Sequence, residues 1–258
     1  MVRRFEGKVA VVTGGSSGIG RATALGFAKQ GAKVVVASRN VELLRETVRM
    51  IEETGGEGTF AKCDVTVAAE VEAMINKAVE TYGRLDYALN NAGGGGGAAS
   101  FALTADCTEE DWDREINVNL KGVWLGMKYE IPQMLKHGGG AIVNTSSVAG
   151  LIVNHAGRAA YAAAKHGVLG LTKAAALEYA KAGIRVNSVC PGPVLVPWIK
   201  DVLAAQPEMI GAFLQGCLLE RMGKPEEVAE AVIWLCSDAA SFVTGHAMAV
   251  DGGVLVGA

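Results

Sequence analysis

Short runs of β-branched and other apolar residues alternate along this chain with longer stretches in which apolar positions recur every three or four residues. The short runs fall at 8–12, 34–37, 58–63, 85–90, 141–145, 185–189 and 248–250. They lack the in-out alternation of a half-solvated strand, so they predict strands buried on both faces. The longer stretches predict helices at 21–30, 41–54, 71–82 and 111–128, with a further one around Tyr161. Strands that alternate with helices predict an α/β fold. Its core is a doubly wound parallel sheet of about seven strands, with right-handed crossovers and helices on both faces. No internal repeat or interdomain linker interrupts the pattern, and 1–258 reads as one domain. The glycine run from 93 to 97 follows a strand end and reads as a loop beside a ligand.

Composition narrows the classes of function. Half of the 258 residues are hydrophobic and only 20% are charged. Part of that apolar surplus fills a large core, and the rest suggests faces buried between subunits. A net charge of -3 without a basic stripe argues against nucleic acid. No apolar run reaches the roughly 20 residues that span a bilayer, and the first residues lack a signal-type apolar segment. The five cysteines are scattered without CxxC pairing, which predicts reduced thiols, a cytoplasmic protein and no metal site.

Two local patterns carry chemistry. The first strand runs into Thr13-Gly14-Gly15-Ser16-Ser17-Gly18-Ile19-Gly20. In a doubly wound sheet that turn lies at the carboxyl end of a strand. There Gly14 permits a tight bend, while Gly18 and Gly20 permit backbone approach to a pyrophosphate at a helix N-terminus and let that helix pack on the sheet. The second pattern is Tyr161-Ala162-Ala163-Ala164-Lys165, which puts a phenol and an ammonium on one helical face. A nearby ammonium favours the phenolate and lowers the tyrosine pKa, making the pair a candidate proton donor and acceptor for a carbonyl or alcohol.

The Gly-x-x-x-Gly-x-Gly spacing, together with Asn90-Asn91-Ala92-Gly93, Asn119, Ser146-Ser147 with Gly150, Tyr161-x-x-x-Lys165, Pro191-Gly192 and Asp251-Gly252-Gly253, resembles the short-chain dehydrogenase/reductase family over essentially the whole chain. The resemblance implies a Rossmann-type fold and a catalytic tetrad of Asn119, Ser147, Tyr161 and Lys165. Ser146 is the competing serine, and Asn119 either binds a relay water for Lys165 or packs between helices. It also implies a nicotinamide cofactor held by several groups of residues. These are Gly14, Ser16, Ser17, Gly18, Ile19 and Gly20; Ser38, Arg39 and Asn40; Asp64 and Val65; Asn91, Ala92 and Gly93; Tyr161 and Lys165; and Pro191, Gly192 and Val194. Val196 stands where many relatives carry a threonine that helps hold the carboxamide.

After the second strand, Ser38 takes the place of the carboxylate expected for NAD(H), and the Arg39 guanidinium suits a 2′-phosphate. The expectation is NADP(H) in preference to NAD(H), with Arg39 as a solvated arginine stacked on adenine being the alternative. Asp64 is either an adenine contact or a helix cap. The substrate would be a small carbonyl or alcohol. Its pocket would be shaped by the loop 93–101, the segment 151–158 and a lid at about 194–217 carrying Trp198, Met209, Phe213 and Leu214. That last stretch could equally be a subunit-packing helix. His155 and Arg158 would bind an acidic substrate group or lie on the surface. The resemblance implies a homo-oligomer, a tetramer paired through the helices of Asn119 and Tyr161 and the last strand. A halohydrin dehalogenase would lack both the glycine turn and Lys165, and a non-catalytic NADP(H) sensor would not need the full tetrad.

Overall fold

In the computed structural model, which describes residues 3–94, 102–153 and 155–257, seven strands form one parallel sheet in the order β3-β2-β1-β4-β5-β6-β7. They are β1 (Val9–Thr13), β2 (Lys33–Ser38), β3 (Glu57–Lys62), β4 (Tyr87–Asn90), β5 (Gly140–Thr145), β6 (Ile184–Pro191) and β7 (Ala247–Val250). Each predicted strand is present within a few residues. Val11 of β1 sits opposite Val35 on one side and Ala88 on the other, and all three are sealed from solvent. Burial on both faces is why these runs read as continuously apolar.

Helices cover both faces. On one side lie α1 (Gly18–Lys29), α2 (Val41–Glu53) and α9 (Pro225–Cys236), around a core that includes Phe27, Leu44 and Val232. There Tyr87 packs at 4.9 Å from the Phe5 ring and 5.8 Å from the Phe27 ring. On the other side lie α3 (Ala68–Tyr82), α5 (Gly122–Lys136) and α6 (Ala159–Tyr179), whose core includes Ile75, Leu125 and Val168. Shorter helices are α4 (Glu109–Ile116), α7 (Pro197–Ala205), α8 (Ile210–Phe213) and α10 (Val254–Gly257).

Two elements depart from the sequence reading. The expected single helix over 111–128 is α4 (Glu109–Ile116), a π-helical turn at Asn117–Lys121, and then α5. The π turn carries Asn119, and such turns mark sites where regular backbone pairing gives way to another demand. Helix α5 also continues past Pro132 to Lys136, because Ile131 and Met134 are anchored in the core. Helix α9, which the sequence pattern does not predict, packs against α1 on the side opposite α6.

Strand order reverses between β1 and β4, and the crossovers leave the sheet in opposite directions there. The carboxyl ends of those strands border a crevice. A hydroxyl holds its mouth together. Thr13 Oγ1 accepts from the Asn91 N–H at 2.9 Å and the Ala92 N–H at 3.1 Å, and donates to the Leu89 carbonyl at 3.3 Å. The Asn91 side chain reaches across to β5, where its Oδ1 accepts from Thr145 Oγ1 at 3.3 Å. Thr13→Val, which keeps the shape but removes the acceptor of two N–H groups, should lower unfolding stability by about 1–3 kcal/mol. Urea titration checks this, and an unchanged midpoint would show that the hydroxyl does not hold the crevice.

Candidate active site

The crevice opens into a cleft of about 720 Å³, bounded by the glycine turn, the ends of β2 to β6, α6 and the start of α7. The turn has the shape its glycines demand. Gly14 adopts φ +66°, a left-handed conformation, and a Cβ there would lie 2.7 Å from Asn91 Nδ2. Ser16, Ser17, Gly18 and Ile19 line the cleft beside the α1 N-terminus, whose free N–H groups suit an anion. Gly20 does not line it. A Cβ at Gly20 would collide with the Gly14 carbonyl, so this glycine lets the helix pack beneath the turn.

Ser38, Arg39, Asp64, Val65, Asn91, Ala92, Gly93, Pro191, Gly192 and Val194 also line the cleft. Asn40 lines an adjoining cavity of about 650 Å³ with Ser38, Arg39 and Lys62, while its side chain caps α2 by accepting from the Leu43 N–H at 3.1 Å. Lys62, at the end of β3, brings a second cation near Arg39, although Glu42 lines the same cavity. Asp64 is not a helix cap: Val67 holds that position for α3. Its carboxylate instead accepts from the Thr66 N–H at 3.0 Å and hydroxyl at 2.7 Å. The Thr66 N–H, with the Thr66 hydroxyl and the Arg39 charge, holds the Asp64 pKa below the ordinary range against the opposing effect of burial. These features fit a dinucleotide: a pyrophosphate cradle at one helix end, and cations beside the ribose end without a carboxylate on Ser38.

The four tetrad positions meet on the opposite wall. Lys165 is 3% exposed, donates from Nζ to the Thr145 carbonyl at 3.0 Å, and stands 5.6 Å from the centre of the Tyr161 ring. Ser146 and Ser147 part company. The Ser146 hydroxyl is turned inward, donating to the Lys165 carbonyl at 2.8 Å, whereas Ser147 shares a hydrogen bond with the Tyr161 hydroxyl. Asn119 is buried, and its amide is spent on neighbours. Oδ1 accepts from the Gly94 N–H at 3.0 Å, and Nδ2 donates to Glu115 Oε2 at 2.9 Å.

Electrostatics differ from the expectation that Lys165 pulls the Tyr161 pKa down. Burial dominates and holds the phenol above its ordinary value; Arg158 is the main cation opposing it, with help from Ser147, while Glu115 adds to the rise. The same burial draws the Lys165 ammonium down to about 8, against the supporting charge of Glu115.

Trp198 lines the cleft as the sequence predicts, whereas several other lining residues were not named from the sequence: Arg114, Glu115, Val118, Thr145, Ile199 and Asp201. Glu115 was within reach, because it lies one helical turn before Asn119 on the same face. Arg158 is not a surface group. It is half-buried, with its guanidinium carbon 4.3 Å from the centre of the Tyr161 ring. In the segment 194–217, Val196, Pro197 and Trp198 face the cleft, and the Trp198 and Phe213 rings meet edge-on at 6.1 Å. The Val196 side chain sits over the glycine turn, 3.1 Å from where a Cβ of Gly18 would be. The predicted pocket residues 95–101 and Asn154 lie outside the described residues. Among the described residues no cluster of His, Cys, Asp or Glu suits a metal ion, and no helix is long and apolar enough to cross a membrane.

The profile of a family described as "Enoyl-(Acyl carrier protein) reductase" matches residues 14–255. The cyclohexanol dehydrogenase of Acinetobacter sp. (strain SE19) is 48% identical over 98% of this chain and 96% of its own length. A 3-oxoacyl-[acyl-carrier-protein] reductase of Thermotoga maritima is 42% identical over 98% of this chain and the whole of its own. The crystal structure of levodione reductase superposes with a TM-score of 0.91 at 36% identity, covering 97% of this chain and 98% of that one. With a parallel Rossmann-type sheet, a glycine turn at its switch point and relatives matched from end to end, this chain belongs to the short-chain dehydrogenase/reductase family and is an NAD(P)-dependent oxidoreductase.

Proposed function

We propose that this enzyme prefers NADP(H) and interconverts a ketone and its secondary alcohol, with cyclic substrates such as cyclohexanol as the first class to try. The observation that carries this reading is the meeting of Ser147, Tyr161 and Lys165 on one wall of the cleft whose other end is the glycine turn. The similarity to a cyclohexanol dehydrogenase supports the substrate class. The nicotinamide, when bound, supplies or accepts the hydride. The chain's own residues manage the oxygen. Ser147 holds it by a hydrogen bond. Tyr161 delivers a proton to it during ketone reduction, or takes the hydroxyl proton during alcohol oxidation. Lys165, whose Nζ stands 5.6 Å from the centre of the Tyr161 ring, refills the proton of the phenol. Trp198 and Ile199 exclude water from one side as part of a lid at about 194–217.

The NADP(H) preference rests on Arg39 after β2 and Lys62 at the end of β3, two cations, with Ser38 rather than a carboxylate ending β2. An NAD(H) enzyme in which Arg39 stacks on adenine is the competing reading, favoured by Glu42 in the same cavity. We further read 1–258 as one domain, acting in the cytoplasm as a homotetramer. Exposed Trp112 and Trp124 along α4 and α5, with Leu177 on α6 at 86% exposure, support pairing through those helices.

Arg39→Ala should raise KM for NADPH roughly 10- to 100-fold and leave KM for NADH nearly unchanged, since it removes a charge-assisted contact to the 2′-phosphate alone. Equal effects on both cofactors would refute the preference. Tyr161→Phe should abolish turnover of cyclohexanol with NADP+ and of cyclohexanone with NADPH, followed by reduced-nicotinamide absorbance, while NADPH still binds. Retained turnover would remove Tyr161 from proton transfer.

A pH dependence follows from Lys165. Its folded pKa, about 8, lies below the ordinary 10.5, so between those values the unfolded chain binds more protons. The Lys165 contribution to stability therefore becomes more favourable as pH rises through that window. Denaturant titrations of wild type and Lys165→Met should show their stability difference shifting towards wild type over that interval. A constant difference would place the Lys165 pKa at its ordinary value.

A further inference from the structure

Arg158 stands at the head of α6, three residues before Tyr161, where helical spacing puts the two side chains on one face. Its guanidinium carbon lies 4.3 Å from the centre of the Tyr161 ring, closer than the 5.6 Å of Lys165 Nζ. Charged and titratable groups approach Tyr161 from each neighbouring element. Arg158 and Lys165 come from α6 itself, Glu115 comes from α4, and the segment after β5 brings Ser147 and, against Arg158, His155.

The two cations are not equivalent. Lys165 is an ammonium buried at 3% exposure, and burial weakens its hold on its proton. A guanidinium keeps its charge at any pH the protein survives. A planar cation on the ring face attracts the ring electrons, and attracts them more strongly when the oxygen is ionised.

We propose that Arg158 is a positioning residue of this site: its guanidinium clamps one face of the Tyr161 ring and supplies the permanent positive charge that favours the ionised oxygen. Its catalytic meaning rests on the reading of Tyr161 as the proton-transfer group; its effect on the phenol does not. Arg158 thereby offsets Glu115 and the burial that the closed wall imposes on Tyr161.

The test reads Tyr161 directly. Phenolate absorbance in the near ultraviolet is recorded immediately after rapid pH jumps, before the chain unfolds, for wild type, Arg158→Met and Arg158→Lys. The same titration with Tyr161→Phe in each background isolates this one tyrosine. Arg158→Met should move the Tyr161 midpoint upward by roughly one pH unit, and Arg158→Lys should restore it most of the way. An unmoved midpoint in a folded Arg158→Met protein overturns the proposal.

The pH profile of kcat/KM for cyclohexanol oxidation is the second readout. On its acid side, Arg158→Met should lose about tenfold, matching the shift of the midpoint, and recover at alkaline pH. A loss uniform across pH would mark a packing defect and overturn the role. If Tyr161→Phe oxidised cyclohexanol as fast as wild type, the functional reading would fail while the midpoint shift still decided the role of Arg158.

Discussion

The reversal of strand order between β1 and β4 is the constraint on which the rest of the molecule depends. Parallel strands need crossovers, and crossovers of one hand that start in opposite directions must part where the order reverses. That parting leaves backbone at the strand ends without a helix to cover it. The chain manages this with Thr13, whose hydroxyl satisfies the Asn91 and Ala92 N–H groups, and with Asn91, which ties β1 to β5 through Thr145. Thr145 in turn presents its carbonyl to Lys165. A continuous set of hydrogen bonds thus runs from the glycine turn to the wall that carries Tyr161. The site is built from the polar groups at the sheet's own strand ends.

The electrostatics of that wall are a balance rather than a single strong interaction. Burial opposes ionisation of both Tyr161 and Lys165, and it draws the lysine down to about 8. Glu115 supports the ammonium and opposes the phenolate; Arg158 does the reverse. The π turn at Asn117–Lys121 belongs to the same arrangement. It carries Asn119, whose amide joins Glu115 to the Gly94 backbone. Glu115, Asn119 and Gly94 are therefore fixed relative to one another from a helix that would otherwise pack only as a cover.

Much of this was legible in the chain, for physical reasons that differ by residue. The strands showed because a sheet buried on both faces tolerates only apolar side chains, as at Val34–Val36 and Ile142–Val143. Gly14 showed because a left-handed bend against Asn91 admits no side chain. The inward turn of Ser146 could not be read, since two adjacent serines are chemically alike and only the approach of the α6 backbone separates them. The π turn left no mark in local propensity. Arg158 could equally have faced solvent or an acidic group, because its spacing from Tyr161 allows the ring contact without requiring it. Asn40 and Asp64 show the opposite case: local bonds to Leu43 and Thr66 occupy the very groups that the sequence assigns to the cofactor.

The central claim is that this cleft transfers hydride between a carbinol carbon and a nicotinamide. It is tested most directly by isotope tracing. The enzyme is incubated with NADP+ and cyclohexanol carrying deuterium on its carbinol carbon, and the reduced cofactor is examined by mass spectrometry. The account predicts one deuterium per NADPH formed and none lost to water. Reduced cofactor formed without deuterium, or none formed with NADP+ or with NAD+ from this or any other secondary alcohol tried, would contradict it.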